Sequence, residues 1–315
     1  TAHLAGRGNR TPYELKRHAI HNALYGVDID AGAVDIAKLR LWLSLVVDED
    51  EYASIHPLPN LDYKVMQGNS LFEDFHDISL APDEQADEGT LLRKDQGFIE
   101  RIEALHRTQS EYFSAKHPSE KKKLRLAVED SIIEVFTHEI ERQNHAYFEA
   151  RAQIERTAQG FSVAQREQFI ALELPKLRAR FGLDPEELQA ELREMTHGNK
   201  LRDFFPWRLY FADVFQERGG FDVVIANPPY VRQERITDQK TRLKAAYPDV
   251  YHGVADIYVY FYRKAFDIAV PGGTVTFISS NKYFRAGYGK TLRAYLKAQA
   301  AVHLVIDFGD LPVFD

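Results

Sequence analysis

An α/β fold, built on a doubly wound and mostly parallel sheet with a large helical insertion, is what this sequence predicts. Three observations lead there. Strand-like and helix-like segments alternate at both ends of the chain, the order that crossover connections produce. The segment Phe221-Asp222-Val223-Val224-Ile225-Ala226 is nearly all apolar, as expected of a strand covered on both faces. Between the ends, residues 75–206 are dense in Glu, Lys, Arg, Gln and Ala, with helical spacing and few β-branched side chains.

The elements follow in order. Residues 1–74 start polar, and Ala23–Asp30 then reads as a short strand ending in acids. A helix pattern runs from Ala33 through Val34, Ile36, Ala37, Leu39, Leu41 and Leu43. Leu61–Met66 alternates as a second strand, closed by Gln67-Gly68-Asn69. In residues 75–206, Phe98–Phe113, Ser119–Arg156 and Val163–Arg180 carry helical spacing, punctuated by Pro118, Gly160 and Gly182 to Pro185. A charge-rich helix generally presents a solvated face, so this region is assigned no chemistry. In residues 207–315 the strand Phe221–Ala226 is followed by a helix over Asp256–Ala269 and then Pro271-Gly272-Gly273. A strand over Thr274–Ser279, a helix over Tyr288–Lys297 and a last strand over Val302–Asp307 complete the pattern. In a doubly wound sheet the ligand lies outside the carboxyl ends of the strands. Asp28 to Asp30, Asn69 and the segment after Ala226 all sit at such ends.

Composition narrows the chemistry. With no cysteine among 315 residues, a disulfide framework, a Cys-ligated zinc, an iron–sulfur cluster and a thiol nucleophile are excluded. A formal charge of −7 argues against a wholly basic nucleic-acid coat, while 40 Lys and Arg can still line a local cleft. No apolar run approaches the ~20 residues of a membrane span. The 12 histidines show no metal-ligand spacing; His18 and His21, three apart, read as surface residues of one helical face, and no metal is expected. Thr1 opens the chain and Asp315 falls in an apolar-aromatic segment, so a piece of a longer protein is expected.

The segment that carries chemistry is Asn227-Pro228-Pro229-Tyr230, directly after the apolar strand. Two prolines cannot continue a sheet or start inside a helix, so they fix a rigid exposed loop. Such a loop aims two acceptors, the Asn227 amide and the Pro228 carbonyl, at one point, with the flat face of Tyr230 beside them. The chemistry that needs this is attack by an amino group conjugated to an aromatic ring. Two acceptors on its N–H bonds draw the nitrogen towards tetrahedral geometry and stabilise the growing positive charge. The aromatic face holds the ring.

This tetrapeptide in this setting resembles the catalytic motif of amino-group methyltransferases that use S-adenosylmethionine. The longer run Gly219–Ile236 resembles the adenine-specific DNA methyltransferases of the type IIG restriction–modification group (Eco57I-like) and related phage-exclusion methylases of the BREX type. Further matches are Gly253–Phe261, Ser279–Lys290, and Tyr25–Asp30 leading into Lys38–Leu45. The resemblance implies a class I methyltransferase fold divided into a cofactor-side core (1–74), a helical insertion (75–206) and a catalytic-side core (207–315). It also implies a cytoplasmic enzyme that methylates N6 of a flipped adenine in double-stranded DNA, with no membrane partner. A fused or associated nuclease and a target-recognition domain are the implied partners.

The resemblance implies roles residue by residue. Asp28 would bind the cofactor ribose hydroxyls and Ile29 would pack on its adenine, whereas a strand-end Asp can also cap the next helix. Asp30 is the better placed of the two acids for capping. Asn69 matches a position, Asp in many relatives, that holds the cofactor's adenine amino group; it can equally serve a turn. Phe261 falls where an aromatic lies against the cofactor adenine, or in the core. Phe314 would sandwich the flipped base opposite Tyr230. Arg232, Arg235, Lys282, Arg285 and Lys290 flank the motifs as a local basic rim for phosphates. Extruding a paired adenine costs a few kcal/mol, which such a rim helps to offset.

The family's Gly-rich cofactor loop is not recognised. Gly6-Arg7-Gly8-Asn9 follows no apolar strand and is not accepted as that loop. The first strand with its loop is therefore expected before Thr1, and a target-recognition domain after Asp315. Two other readings stay open: a methyltransferase acting on RNA adenine or protein glutamine, and a non-catalytic DNA-binding module that keeps the fold.

Overall fold

The computed structural model describes residues 11–47, 61–76, 78, 96–115, 117–182, 184–198 and 200–309. The chain divides into two compact units, Thr1–Tyr210 and Phe211–Asp315.

In the first unit Thr11 opens helix α1 (Pro12–Asn22). Its hydroxyl accepts from the Glu14 N–H at 3.2 Å, and the Glu14 carboxylate accepts from the Thr11 N–H at 2.9 Å. Pro12 occupies a position where no N–H is needed. Strand β1 (Gly26–Asp28), helix α2 (Ala31–Val46) and strand β2 (Val65–Gln67) form a parallel crossover, with Gly26 opposite Val65 and Asp28 opposite Gln67. Tyr13 and Ile20 of α1, Leu45 of α2 and Leu61 form a small core, with Leu41 packed against it.

Both strands are shorter than the sequence pattern indicates. Leu61 to Tyr63 turn instead of pairing, and the ladder starts only at the Lys64 carbonyl, which accepts from the Gly26 N–H at 2.7 Å; the Leu61 carbonyl accepts from the N–H groups of Lys64 and Val65, each at 3.0 Å. Those backbone groups are then no longer available to a ladder.

Five helices follow: α3 (Gln96–Ser114), α4 (Pro118–Gln143), α5 (His145–Thr157), α6 (Val163–Phe181) and α7 (Pro185–Thr196). α4 packs on α3 and α7, and α5 on α6. The helical spacing over Ser119–Arg156 is carried by two helices that meet at Asn144. There the side-chain amide and the backbone N–H both donate to the Ile140 carbonyl, at 2.9 and 3.0 Å, and the backbone leaves helical geometry. Leu105, Val128, Ile132, Val135, Phe136, Ile140, Tyr147 and Leu192 are fully buried.

The helices are fastened to the strand-bearing part by aromatics. Phe136 meets Phe75 and Phe204 at ring-centroid distances of 6.3 and 5.3 Å. The Tyr112 hydroxyl donates to Asp62 at 2.8 Å, and the Tyr63 hydroxyl to the Arg125 carbonyl at 3.2 Å. The returning chain is stapled just after β2, where the Phe205 N–H donates to the Phe72 carbonyl at 2.6 Å. In the short helix α8 (Trp207–Tyr210), Trp207 Nε1 donates to the Ser70 carbonyl at 3.0 Å. Each aromatic pair adds roughly 0.5–1.5 kcal/mol beyond the area it buries.

The second unit contains α9 (Ala212–Arg218), β3 (Phe221–Ala226), α10 (Lys240–Ala246), α11 (Tyr258–Ile268), β4 (Ala269–Phe277) and α12 (Gly289–Gln299). β3 and β4 are parallel, and α11 packs on both. Pro271-Gly272-Gly273, expected to precede the strand, is absorbed into β4 as a bulge. Phe221 pairs with Ala269, but Val223 pairs with Thr274. Gly272 has φ of 80°, which suits glycine.

The described residues carry two two-stranded parallel sheets, β1–β2 and β3–β4, and a doubly wound sheet is not shown among them. β3 is apolar but not covered, with Val223 and Ile225 54% and 77% exposed. Residues 302–307 are not a strand: no described residue pairs with them, and a strand exists only through its ladder. Phe314 and the Gly6–Asn9 segment lie outside the described residues.

Candidate functional site

In the first unit the candidate residues gather where β1 and β2 end. The Gly68 N–H donates to the Asp28 carbonyl at 2.9 Å, and Gln67 Nε2 donates to the Ile29 carbonyl at 3.0 Å. These bonds hold Asp28, Ile29 and residues 67–69 together. Gly68 is required by close approach: a Cβ there would lie 2.9 Å from the Phe204 carbonyl oxygen and 2.9 Å from the Phe205 ring.

The two acids divide their work. Asp30 caps α2, its Oδ1 accepting from the Ala33 N–H at 3.1 Å. Asp28 Oδ1 accepts from the Asp30 N–H at 2.8 Å, and its carboxylate stays exposed at the strand end. Ile29 is 49% exposed beside it. Asn69 Oδ1 accepts from the Leu71 N–H at 3.1 Å, closing a turn. An amide oxygen has two lone pairs, so a second donor can still be served. An exposed carboxylate, an apolar face and an amide at parallel strand ends fit a ligand with vicinal hydroxyls, a flat ring and an amino group.

In the second unit Asn227 to Tyr230 leave β3 without regular structure. Pro228 is buried while Asn227, Pro229 and Tyr230 are exposed, so the loop is anchored at its first proline and presents the polar and aromatic groups outward. The Ile278 N–H donates to the Ala226 carbonyl at 3.1 Å, so the loops after β3 and β4 leave from the same sheet end. Phe261 is half-buried on α11, and Arg232 is exposed where the loop ends.

After β4, a 3₁₀ turn over Asn281–Phe284 is opened by Ser280, whose Oγ accepts from the Lys282 N–H at 3.3 Å. A cavity of about 450 Å³ is lined by Asn281, Lys282, Arg285, Ala286 and Tyr288. Asn281 Nδ2 donates to Asp307 at 3.1 Å. Asp307 also accepts from the Gly309 N–H at 3.1 Å, and these bonds hold its carboxyl below the usual range.

A polar link missed by the sequence reading joins the two loops. Asp256 accepts from the Gln233 N–H at 3.2 Å and from the Tyr288 hydroxyl at 3.4 Å. Tyr288 and Tyr258 share a hydrogen bond at 2.9 Å. Burial raises the pKa of both tyrosines, so both hydroxyls remain protonated. The sequence signal for this link is the Gly253–Phe261 segment, which contains Asp256.

A model of the Eco57I restriction-modification methylase family matches residues 22–314. The type II methyltransferase M.XhoI of Xanthomonas vasicola is 36% identical over 95 residues, 30% of this chain and 17% of that protein. The putative type II restriction enzyme and methyltransferase RM.MjaORFECS2P of Methanocaldococcus jannaschii is 29% identical over 246 residues, 69% of this chain and 19% of that protein. The type II methyltransferase M.BstVI of Geobacillus stearothermophilus is 31% identical over 114 residues, 36% of this chain and 19% of that protein. Each match thus spans under 20% of the relative's length. No solved structure matches the chain.

Proposed function

The chain belongs to the Eco57I restriction-modification methylase family, and from that premise we propose that it methylates N6 of adenine in double-stranded DNA with S-adenosylmethionine as donor. The observation that carries this reading is Asn227-Pro228-Pro229-Tyr230, presented on an exposed loop directly at the carboxyl end of a parallel strand.

Asn227 Oδ1 and the Pro228 carbonyl accept the two N–H bonds of the adenine amino group. They draw its lone pair out of the ring and stabilise the charge that develops on nitrogen. Tyr230 stacks on the extruded base, as enzymes that act on a single base of a duplex require. Asp28 and Asn69, with Ile29 against the ring, hold the cofactor, and Phe261 is a further candidate contact. When bound, S-adenosylmethionine supplies an electrophilic methyl group and departs as a neutral thioether. Arg232, Lys282 and Arg285 meet the phosphates of the distorted duplex. Phe314 remains the candidate for the second face of the base. A restriction or phage-exclusion setting, with a fused or associated nuclease and a target-recognition domain, belongs to the same proposal. The name of the Methanocaldococcus jannaschii relative couples restriction enzyme and methyltransferase in that protein. A cytoplasmic location goes with DNA as substrate; no described helix is long and apolar enough to cross a membrane.

The test incubates the full-length protein with duplex DNA and radiolabelled S-adenosylmethionine, digests the DNA and identifies the labelled nucleoside. Label in N6-methyladenine is expected. Asn227→Ala should abolish it while leaving cofactor binding intact. Label found only in RNA or in a protein glutamine would move the reaction to another planar nitrogen. Equal loss of transfer and cofactor binding in the variant would overturn the role given to Asn227.

A further inference from the structure

Asp256 stands just before α11, where an aspartate ordinarily caps its own helix. It does not do so here: the cap position is Ile257, and no side chain closes the helix start. Both carboxylate oxygens reach elsewhere. Oδ1 accepts from the Gln233 N–H at 3.2 Å and Oδ2 from the Tyr288 hydroxyl at 3.4 Å. The next residue adds a second tie, with the Ile257 N–H donating to the Val231 carbonyl at 3.2 Å.

Residues 231 and 233, immediately downstream of Tyr230, are therefore pinned to the start of α11. The loop's upstream end is fixed by β3. Its two prolines make it stiff inside, so its aim is set by how its two ends are held. On the other side Tyr288 is a wall of the basic cavity with Asn281, Lys282 and Arg285. Its place is dictated by the backbone. Gly289, the next residue, packs so closely on the Tyr283 backbone that a Cβ there would clash with the Tyr283 carbonyl. Arg293 reinforces the fold-back by donating to the carbonyls of Tyr283 and Ala286.

We propose that Asp256 is a positioning residue for methyl transfer, holding the Asn227–Tyr230 loop in register with the basic cavity that contains Lys282 and Arg285. Its two carboxylate oxygens act through the Gln233 N–H and the Tyr288 hydroxyl, and the role rests on the reading of that loop as catalytic.

The experiment measures kcat for transfer into duplex DNA, KM for DNA, Kd for S-adenosylmethionine and the melting temperature. It uses the full-length protein and its Asp256→Ala, Asp256→Asn and Tyr288→Phe variants. A displaced loop lowers the rate without weakening ground-state binding, so Asp256→Ala should lose about 10- to 100-fold in kcat with cofactor Kd unchanged. Asp256→Asn still offers an amide oxygen to the Gln233 N–H and should recover most of that loss, which a general packing defect would not allow. Tyr288→Phe frees only one oxygen and should fall between wild type and alanine. Wild-type kcat in Asp256→Ala, or an asparagine variant as slow as alanine, overturns the proposal. If Asp256→Ala does not fold, unchanged kcat in Tyr288→Phe overturns it alone. A wild type that transfers no methyl group overturns the catalytic reading itself, a different result from a wild type that does and an alanine variant that equals it.

Discussion

Lys282 and Arg285 are both exposed, yet they line one cavity beside the loop that follows β4. An exposed cation paired with a protein carboxylate stabilises a fold little. The same cation against a DNA phosphate releases a counterion, which gives it a signature in salt dependence. Each neutralised phosphate contributes about −0.9 to the slope of log K against log salt. Replacing both residues with alanine should therefore reduce the slope by about 2 and weaken binding alike on unrelated duplex sequences. Cofactor affinity should not change. Titrations of two unrelated duplexes at several salt concentrations read this directly, and an unaltered slope would remove both side chains from the DNA surface. Asp28 and Asp30 show the same separation of roles within three residues. One sequence pattern fits both, and only the bonds made by each carboxylate tell them apart.

That separation can be tested at the level of helix α2. Asp30→Ala removes the bond to the Ala33 N–H and should cost about 1 kcal/mol in urea unfolding, with cofactor affinity retained. Asp28→Asn keeps an oxygen for the Asp30 N–H but loses the charge, so it should weaken cofactor binding and leave the urea midpoint close to wild type. The reverse pattern would exchange the two assignments. Helices such as α2, α3 and α6 were legible in the sequence because their periodicity is local, as are the caps of α2 and α6. Strands were legible only where local signals sufficed. Phe221–Ala226 is found as read, since an apolar run bounded by glycines and prolines is self-announcing. Val302–Asp307 has the same texture without a partner, and pairing is not written in one strand. The break at Asn144 turns on one side-chain bond to a carbonyl a turn earlier, which no periodicity reveals. At the candidate site the loop chemistry of Asn227–Tyr230 was readable from residue type. The link through Asp256 was not, because its partners lie 23 and 32 residues away in sequence.

Across the first unit, α4 is one of the elements that tie the helices to the strand-bearing part, through Phe136 against Phe75 and Phe204 and through the Arg125 carbonyl bound by Tyr63. Two carboxylates on this helix have opposite pH behaviour. Glu139 is only 4% exposed. Burial pushes its carboxyl up, but Arg142, bonded through Nε at 2.9 Å and Nη2 at 2.5 Å, and Gln143 at 2.7 Å together bring it below its ordinary value. Glu129 is raised because burial outweighs the attraction of Arg125, His197 and Arg202. The sign follows for each. A lowered carboxyl stabilises the fold above its unfolded pKa of about 4.3, and that stability is lost as pH falls through the folded value. A raised carboxyl does the opposite: the fold is favoured below the unfolded value and loses that advantage as pH rises through the folded one. Glu139→Gln should therefore destabilise by about 1–2 kcal/mol at pH 7, since Arg142 is one-third exposed and the pair is partly screened. The deficit should begin to shrink as pH falls past about 4.3, and the variant and wild type should converge only below the lowered folded value of Glu139, where the wild-type carboxyl is protonated too. Glu129→Gln should leave the pH 7 stability equal to or above wild type, with the difference vanishing on acidification. Urea unfolding of the full-length protein at pH 7, 5.5, 4 and about 2.5, followed by helical circular dichroism, measures both. A Glu139→Gln deficit that stays constant down to about pH 2.5 would show that the glutamate acts through shape alone.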